Sequence, residues 1–148
     1  MNDPDPTIAS YDRYREALGK ASQSNKTVVF DALAAANITQ VLVEFDGVGD
    51  SGQVETVTAF RGKVQIAFPS TTIALQQASW GSTELRCIEE KLSQAIETLC
   101  YDYLEETHDG WENNDGAFGE FSFSVEEREI ELEFHDRYTA TLTENHTF

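Results

Sequence analysis

The sequence has no long apolar run, and it carries only two cysteines and three prolines in 148 residues. A membrane-spanning helix needs about eighteen or more consecutive apolar residues, so the sequence predicts none. The polar, acidic start at residues 1–6 lacks the basic end and apolar stretch of a secretion signal. Cys87 and Cys100 fall in one predicted helix, roughly 20 Å apart along its axis, which is too far for a disulfide. Unpaired thiols suit a reducing compartment, so we expect a cytoplasmic protein.

Basic residues are scarce in the C-terminal third of the chain. Residues 101–148 hold 14 Asp or Glu but only two basic residues, Arg128 and Arg137, and the whole chain has a net charge of −17. Such charge repels nucleic acid and anionic lipid, and it attracts cations or basic protein surfaces. We therefore expect no direct binding to nucleic acid or to membranes. The expected partner is a basic protein surface, such as that of a nucleic-acid-binding protein.

The apolar content is sufficient for one packed core. Hydrophobic residues make up 40% of the chain, and nine of the aromatic residues are Phe, each of which buries a large area. A chain of this length is near the common size of one domain. We predict a flexible N-terminal arm at residues 1–8, where Pro4 and Pro6 oppose regular structure, and a single domain at residues 9–148.

The spacing of apolar residues predicts both helices and strands. Polar residues at 22–25 are expected to separate two short helices, and residues 69–82 are expected to form a loop. The predicted helices cover residues 11–20, 27–36 and 83–106, and the predicted strands cover residues 41–46, 54–60, 64–68, 121–125 and 130–134. Because strands and helices are grouped separately, we predict the α+β class. The expected architecture is an antiparallel sheet of about five strands with two to three helices packed on one face.

The last predicted hairpin carries a row of carboxylates. Side chains two apart on a strand share a face and stand roughly 6.7 Å apart, so the apolar set at 130, 132 and 134 forces the acidic set into solvent. One interpretation is a solvated face that discourages edge pairing. The other is a binding surface that imitates a phosphate backbone. The candidate partner-binding residues are Glu127, Glu129, Glu131, Glu133 and Asp136.

A loop rich in oxygen donors precedes this hairpin. Asp109 and Glu120 occupy the first and twelfth places of a calcium-hand loop, but Trp111 stands at the third ligand place and Asn114 at the invariant glycine. The alternative is an ordinary turn, in which Asn and Asp bond their own backbone. The candidate ligands for calcium or magnesium in this loop are Asp109, Glu112, Asn113, Asp115 and Glu120.

A second acidic loop runs from Asp46 to Gly52. It has two glycines in Gly-x-Gly spacing after a strand, but no helix follows, so the context of a dinucleotide site is absent. Asp46 and Asp50 are further candidate metal ligands, although a hairpin loop explains the string as well. No histidine can be assigned as a base for Ser51, and the histidines and cysteines lack zinc spacing, so we predict no catalytic residues.

Two strings and the chain ending resemble a known type of sequence. They are Val43 to Glu55 (VEFDGVGDSGQVE), Thr107 to Gly119 (THDGWENNDGAFG) and Asn145 to Phe148 (NHTF). Together they resemble a bacterial domain family of unknown function that is associated with plasmids and other mobile elements. The resemblance implies a bacterial cytosolic setting and a mobile-element neighbourhood, and it supplies neither an activity nor site residues.

Two hypotheses on function follow from these observations. The first is a non-enzymatic acidic binding protein that mimics DNA and inhibits a host nucleic-acid-binding or defence protein, without a cofactor. The alternative is a divalent-metal-binding protein, structural or hydrolytic, that uses the acidic loops to hold calcium or magnesium. The sequence leaves the oligomeric state open.

Overall fold

The computed structural model describes residues 6–49, 51–79, 84–113 and 115–148, with side chains from residue 11 onward. Two helices and seven strands are found there, which confirms the α+β class. The helices are α1 (Pro6–Ala35) and α2 (Leu92–Thr107). The strands are β1 (Gln40–Val48), β2 (Ser51–Arg61), β3 (Val64–Ile66), β4 (Thr72–Ala78), β5 (Leu85–Lys91), β6 (Ala117–Ser124) and β7 (Glu129–Asp136). No described helix is long and apolar enough to cross a membrane.

Five of the strands form one antiparallel sheet in the order β3-β2-β1-β6-β7, and β4 pairs with β5 in a separate two-stranded sheet. Strands β1 and β6 are neighbours in the sheet although four strands and a helix separate them in the chain. This long-range pairing brings the C-terminal hairpin β6–β7 beside the hairpin β1–β2. The two acidic loops identified in the sequence therefore lie at the same end of the sheet.

One face of the five-stranded sheet forms the core. Alternate residues of β1 and β6, among them Val43, Phe45, Phe121 and Phe123, are at most 2% exposed and pack against both helices. Full burial of such side chains contributes about 1.5–3 kcal/mol each. The apolar residues of edge strand β7 are only half-buried. The opposite face of the sheet, which we call the outer face, is turned to solvent.

Helix α1 differs from the prediction, because it is one continuous helix rather than two. The polar residues expected to break it are used for tertiary contacts instead. Asn25 is 1% exposed, and its amide group donates to the Gln76 carbonyl and accepts from the Gln76 N–H at 2.9 and 2.8 Å. Ser22 donates to a Glu106 carboxylate oxygen at 2.6 Å. These bonds tie α1 to β4 and α2, and they satisfy side chains that would otherwise compete with the helical backbone.

The helix also begins earlier than expected. It starts at Pro6, inside the segment predicted to be a flexible arm, while residues 1–5 lie outside the described residues. Proline is tolerated in the first helical turn, because its missing N–H would have no partner there.

The hairpin β4–β5 replaces a predicted loop and the first turns of a predicted helix. Leu75 and Ile88 face each other across this hairpin, and the backbone N–H of Leu92 donates to the Thr71 carbonyl where α2 begins. Cys87 therefore lies exposed on β5 and Cys100 is buried in α2, so the prediction of one shared helix is wrong. Short apolar runs fit either period, which explains the error.

Candidate functional site

Acidic side chains from three adjacent strands form a row on the outer face. Glu44 of β1 pairs with Glu120 of β6, and Glu120 pairs with Glu133 of β7. Neighbouring strands lie about 4.8 Å apart, so these carboxylates are direct cross-strand neighbours. Like charges directly opposite each other destabilise a sheet. Of the described strand residues on this face, none is Lys or Arg.

Further carboxylates surround the row. Glu129 and Glu131 share the outer face with Glu133 on β7, as the alternation in the sequence predicts, and all three are exposed. Glu55 stands at a bulge of β2, where the pairing with β1 shifts by one residue. We define the acidic face as Glu44, Asp46, Glu55, Glu120, Glu129, Glu131 and Glu133.

The two remaining predicted partner-binding residues lie elsewhere. Glu127 is exposed in the turn between β6 and β7. Asp136 is the last residue of β7 and, by alternation, points to the side of the sheet opposite Glu133 and His135. The sequence did not identify Glu44 and Glu55 as members of the acidic face. The only sequence feature that indicated an outward position for Glu44 was its alternation with the apolar residues of β1.

A groove of about 360 Å³ runs over the centre of the acidic face. Phe118, which is 41% exposed, contributes apolar surface to it and stacks on His135 with ring centroids 4.7 Å apart. Glu133 lies 2.9 Å from the His135 ring nitrogen, and Thr56 donates to Glu44 at 3.2 Å. The groove is lined by Glu44, Phe45, Asp46, Glu55, Phe118, Gly119, Glu120, Glu133 and His135.

Arg137 contacts two residues that line this groove, Asp46 and Phe118. Its guanidinium lies over the Phe118 ring at 4.7 Å and donates to the Asp46 carboxylate at 2.9 Å. The same nitrogen also donates to the carbonyl oxygens of Gly47 and Ala117. Arg137 therefore neutralises Asp46 and joins β1, β6 and the end of β7, but it makes no ion pair with the three glutamates of the row.

The two loop strings meet through the Trp111 side chain. This ring lies on Gly47 and Gly52 at the end of the β1–β2 hairpin, where a Cβ atom on either glycine would come within 2.6 Å of it. It also packs edge-on against Phe45 at a centroid distance of 5.4 Å. Gly116 has φ +79°, and a Cβ atom there would collide with the Gly47 carbonyl. Packing therefore accounts for Gly47, Gly52 and Gly116.

The candidate metal ligands are divided between two places. Asp46 and Glu120 both line the groove of the acidic face, where Asp46 is also paired with Arg137. Asp109, Asn113 and Asp115 line a second hollow beside Trp111, where Asp115 accepts a hydrogen bond from Thr139 at 2.8 Å. Asp109, Glu112 and Asn113 lie in the loop around Trp111, and Asp50 is outside the described residues. In the described parts of the chain, no three His, Cys, Asp or Glu side chains are arranged to hold a metal ion.

Comparison with known protein families gives a match. The model of a family of unknown function (DUF6878) matches residues 21–148, which include the whole acidic face and both loop strings. No curated protein and no solved structure matches the chain. The resemblance to an uncharacterised family is thereby confirmed, while its association with plasmids and mobile elements stays a prediction.

Proposed function

The chain belongs to this family of unknown function (DUF6878), and we propose that it is a non-enzymatic acidic binding protein. Its acidic face binds a basic protein surface and competes there with nucleic acid. The observation that carries the proposal is the row of Glu44, Glu120 and Glu133 across three neighbouring strands.

The row is unfavourable for folding. Like charges directly opposite each other destabilise a sheet, and glutamine would fit the same positions without that repulsion. Protection of a sheet edge explains charged residues on β7, which is an edge strand. It does not explain Glu44 on the central strand β1 or Glu120 on β6. A role in binding explains all three positions.

The chemistry of the groove favours arginine as the partner's contact residue. Carboxylates accept bidentate hydrogen bonds from a guanidinium. Glu44 and Glu120 stand directly opposite each other in the groove and supply such acceptors. Arginine-rich surfaces are typical of proteins that hold phosphate backbones. A host nuclease or another defence protein that binds DNA would present such a surface, in keeping with the mobile-element setting that the resemblance implies.

The test begins with capture of the partner from host cells on the immobilised protein. The partner's DNA binding is then measured with and without this protein, at low and at high ionic strength. We expect inhibition that weakens as salt rises, because screening shortens the range of charge attraction. Equal DNA binding in the presence and absence of the protein would contradict mimicry.

A matched pair of variants tests the face itself. The triple variant Glu44→Gln, Glu120→Gln and Glu133→Gln removes the row. The control triple variant Glu16→Gln, Glu89→Gln and Glu126→Gln removes the same charge at exposed positions off the acidic face. We expect that the first variant no longer inhibits DNA binding by the partner and that the control variant still does. Equal behaviour of the two would place the contact elsewhere.

A further inference from the structure

We propose that two copies of this chain join through their C-terminal tails, so that residues 138–143 of each copy add a strand to the free edge of β7 of the other. We call residues 138–143 the tail segment. The proposal rests on an incompletely covered sheet edge and on an exposed segment whose pattern matches that edge. It does not depend on the proposed function.

One long side of strand β7 is open. Among the described strands β7 pairs with β6 alone, so its other side offers unpaired N–H and C=O groups. Its inward side chains are half-buried, although equivalent residues on β1 and β6 are fully buried. Beside two of them, Ile130 and Leu132, lies an apolar hollow of about 260 Å³ that Tyr103 and Lys26 also line. An apolar side chain from an added strand would fill that hollow.

The tail segment has the pattern of such a strand. It lies outside the helices and strands, and Tyr138 and Leu142 are 84% and 87% exposed. Apolar residues at 138, 140 and 142 alternate with threonines at 139, 141 and 143. This period of two, rich in residues that favour strands, predicts a strand with one apolar side.

The alternation of apolar and polar residues in the tail segment matches that of β7 when the two pair antiparallel around a twofold axis. Phe134, Leu132 and Ile130 then face Tyr138, Ala140 and Leu142 of the other copy, on the side of the core. On the outer face, the threonines of the tail segment stand opposite Glu133, Glu131 and Glu129. A threonine hydroxyl can donate to a carboxylate, and the tail segment has no Asp or Glu. Asp136 of the two copies meet at the twofold axis, and they are the single pair of acidic residues set opposite each other in this register, whereas pairing β7 with a second β7 would set several glutamates against glutamates.

The tail segment cannot make this pairing within its own copy. The backbone N–H of Arg137 donates to the Gly116 carbonyl at 2.9 Å, which extends the pairing one residue past the end of β7. Thr139 donates to Asp115 beyond that point. To pair with its own β7, the chain would have to reverse direction immediately after Arg137. The turn would then consist of the first residues of the tail segment, which are the residues that have to pair. In the dimer, Thr139 exchanges Asp115 for a cross-strand partner.

The dimer would join the two five-stranded sheets into one. Residues directly opposite in an antiparallel pair share a face, so both outer faces lie on the same side of the joined sheet. The acidic faces of the two copies then form one continuous surface. This isologous arrangement is closed, because each copy gives one tail segment and receives one.

Cross-linking between two differently labelled copies tests the register. All preparations carry Cys87→Ser, since Cys87 is exposed, while Cys100 is buried and stays. One preparation carries Glu131→Cys and the other Thr141→Cys, both at exposed positions. Opposite residues have Cα atoms about 4.5–5.5 Å apart, within the range that a disulfide spans. We expect a covalent dimer on oxidation of the mixture and none from either preparation alone.

The control mixture combines Glu131→Cys with Thr147→Cys, which lies in the same exposed tail but outside the tail segment. Equal cross-linking in the two mixtures, or none in the first, would overturn the proposal.

Sedimentation equilibrium of the whole chain tests the association itself. We expect a dimer for the unmodified chain. We expect Thr141→Glu to weaken it at least about tenfold, because that change sets two carboxylates opposite Glu131 of both copies. Thr147→Glu, with the same charge, should leave it unchanged. A monomer at all concentrations, or equal effects of the two substitutions, would overturn the proposal. The triple glutamine variant of the row should still form the dimer, so failure of one proposal is distinguishable from failure of the other.

Discussion

At the residue scale, Trp111 explains why glycines recur in two strings that lie far apart in the chain. Its ring occupies the space that side chains at 47 and 52 would need. The sequence alone indicates a hairpin loop for those glycines and does not explain their density. The contact could not be predicted, because it depends on the pairing of β1 with β6, which brings the two strings together.

Gly47→Ala and Gly52→Ala should each destabilise the protein by about 1–3 kcal/mol, because the added methyl group forces Trp111 out of its position. Urea unfolding followed by tryptophan fluorescence measures this change. Gly19→Ala is the matched control: it lies in α1, where the added Cβ would have its nearest neighbour at 4.0 Å. There the same substitution should stabilise by up to about 1 kcal/mol. Destabilisation by Gly19→Ala alone would contradict this account of Trp111.

Asp102 gives a prediction on pH. Burial, together with nearby Glu105, Glu106 and Glu90, raises the pKa of this carboxyl group from 3.8 to about 7. Between these two values the folded chain holds a proton that the unfolded chain has lost. The free energy of unfolding contributed by Asp102 therefore falls as pH rises from about 4 to about 7, and it stays low above that.

Asp102→Asn should remove this dependence and stabilise the protein at pH 8 by an amount on the order of 2 kcal/mol, with little effect at pH 4. Urea unfolding across this pH range measures the difference between the two proteins. Asp109→Asn, at an exposed position just past the end of the same helix, is the control: it keeps Asp102, so the fall in stability between pH 4 and pH 7 should remain. Parallel pH profiles for the Asp102 variant and the unmodified chain would rule out the explanation.

At the scale of elements, the strands with a clear period of two were predictable and the others were not. The hairpins β1–β2 and β6–β7 follow from alternating apolar residues, and the β7 glutamates are exposed as that alternation predicts. Strand β5 was missed because Leu85 and Ile88 also fit a helical period, and β4 lies in the segment that was expected to be a loop. The continuity of α1 depends on contacts of Ser22 and Asn25 with distant elements, which no local pattern contains.

Truncation of a core side chain to alanine should cost more stability at a central position than at the edge of the sheet. Leu92 begins α2 and is 0% exposed, so Leu92→Ala should cost about 2–5 kcal/mol. Phe134 lies on edge strand β7 and stays half-buried between Phe45 and His108, so Phe134→Ala should cost less, about 1–3 kcal/mol. Chemical unfolding of both variants checks the order. A larger loss at Phe134 than at Leu92 would contradict the placement of the core.

At the scale of the whole molecule, the acidic face was only partly predictable. The glutamates of β7 could be found by alternation within one strand. Glu44 and Glu120 join them only through the order of strands, which is set by pairing across long stretches of chain. The overall charge of −17 indicated an acidic partner-binding protein but did not show where the charges converge.

The final prediction concerns the energetic cost of that convergence. The triple variant Glu44→Gln, Glu120→Gln and Glu133→Gln should raise the free energy of unfolding by about 0.5–2 kcal/mol at low salt, because two cross-strand repulsions disappear. The control triple variant at Glu16, Glu89 and Glu126 changes the net charge equally but removes no cross-strand pair, and it loses the ion pair of Glu16 with Lys20. Its free energy of unfolding should therefore rise by less than that of the first variant.

Salt provides the second arm of this test. The screening length falls from about 10 Å at 0.1 M to about 3 Å at 1 M, so the advantage of the first variant should shrink as salt is added. Urea unfolding of both variants and the unmodified chain at several salt concentrations measures it. If the free energy of unfolding rises equally in the two triple variants at every salt concentration, the stabilisation comes from the change in net charge alone. The row would then carry no special cost, and the main support for a binding role of the acidic face would be lost.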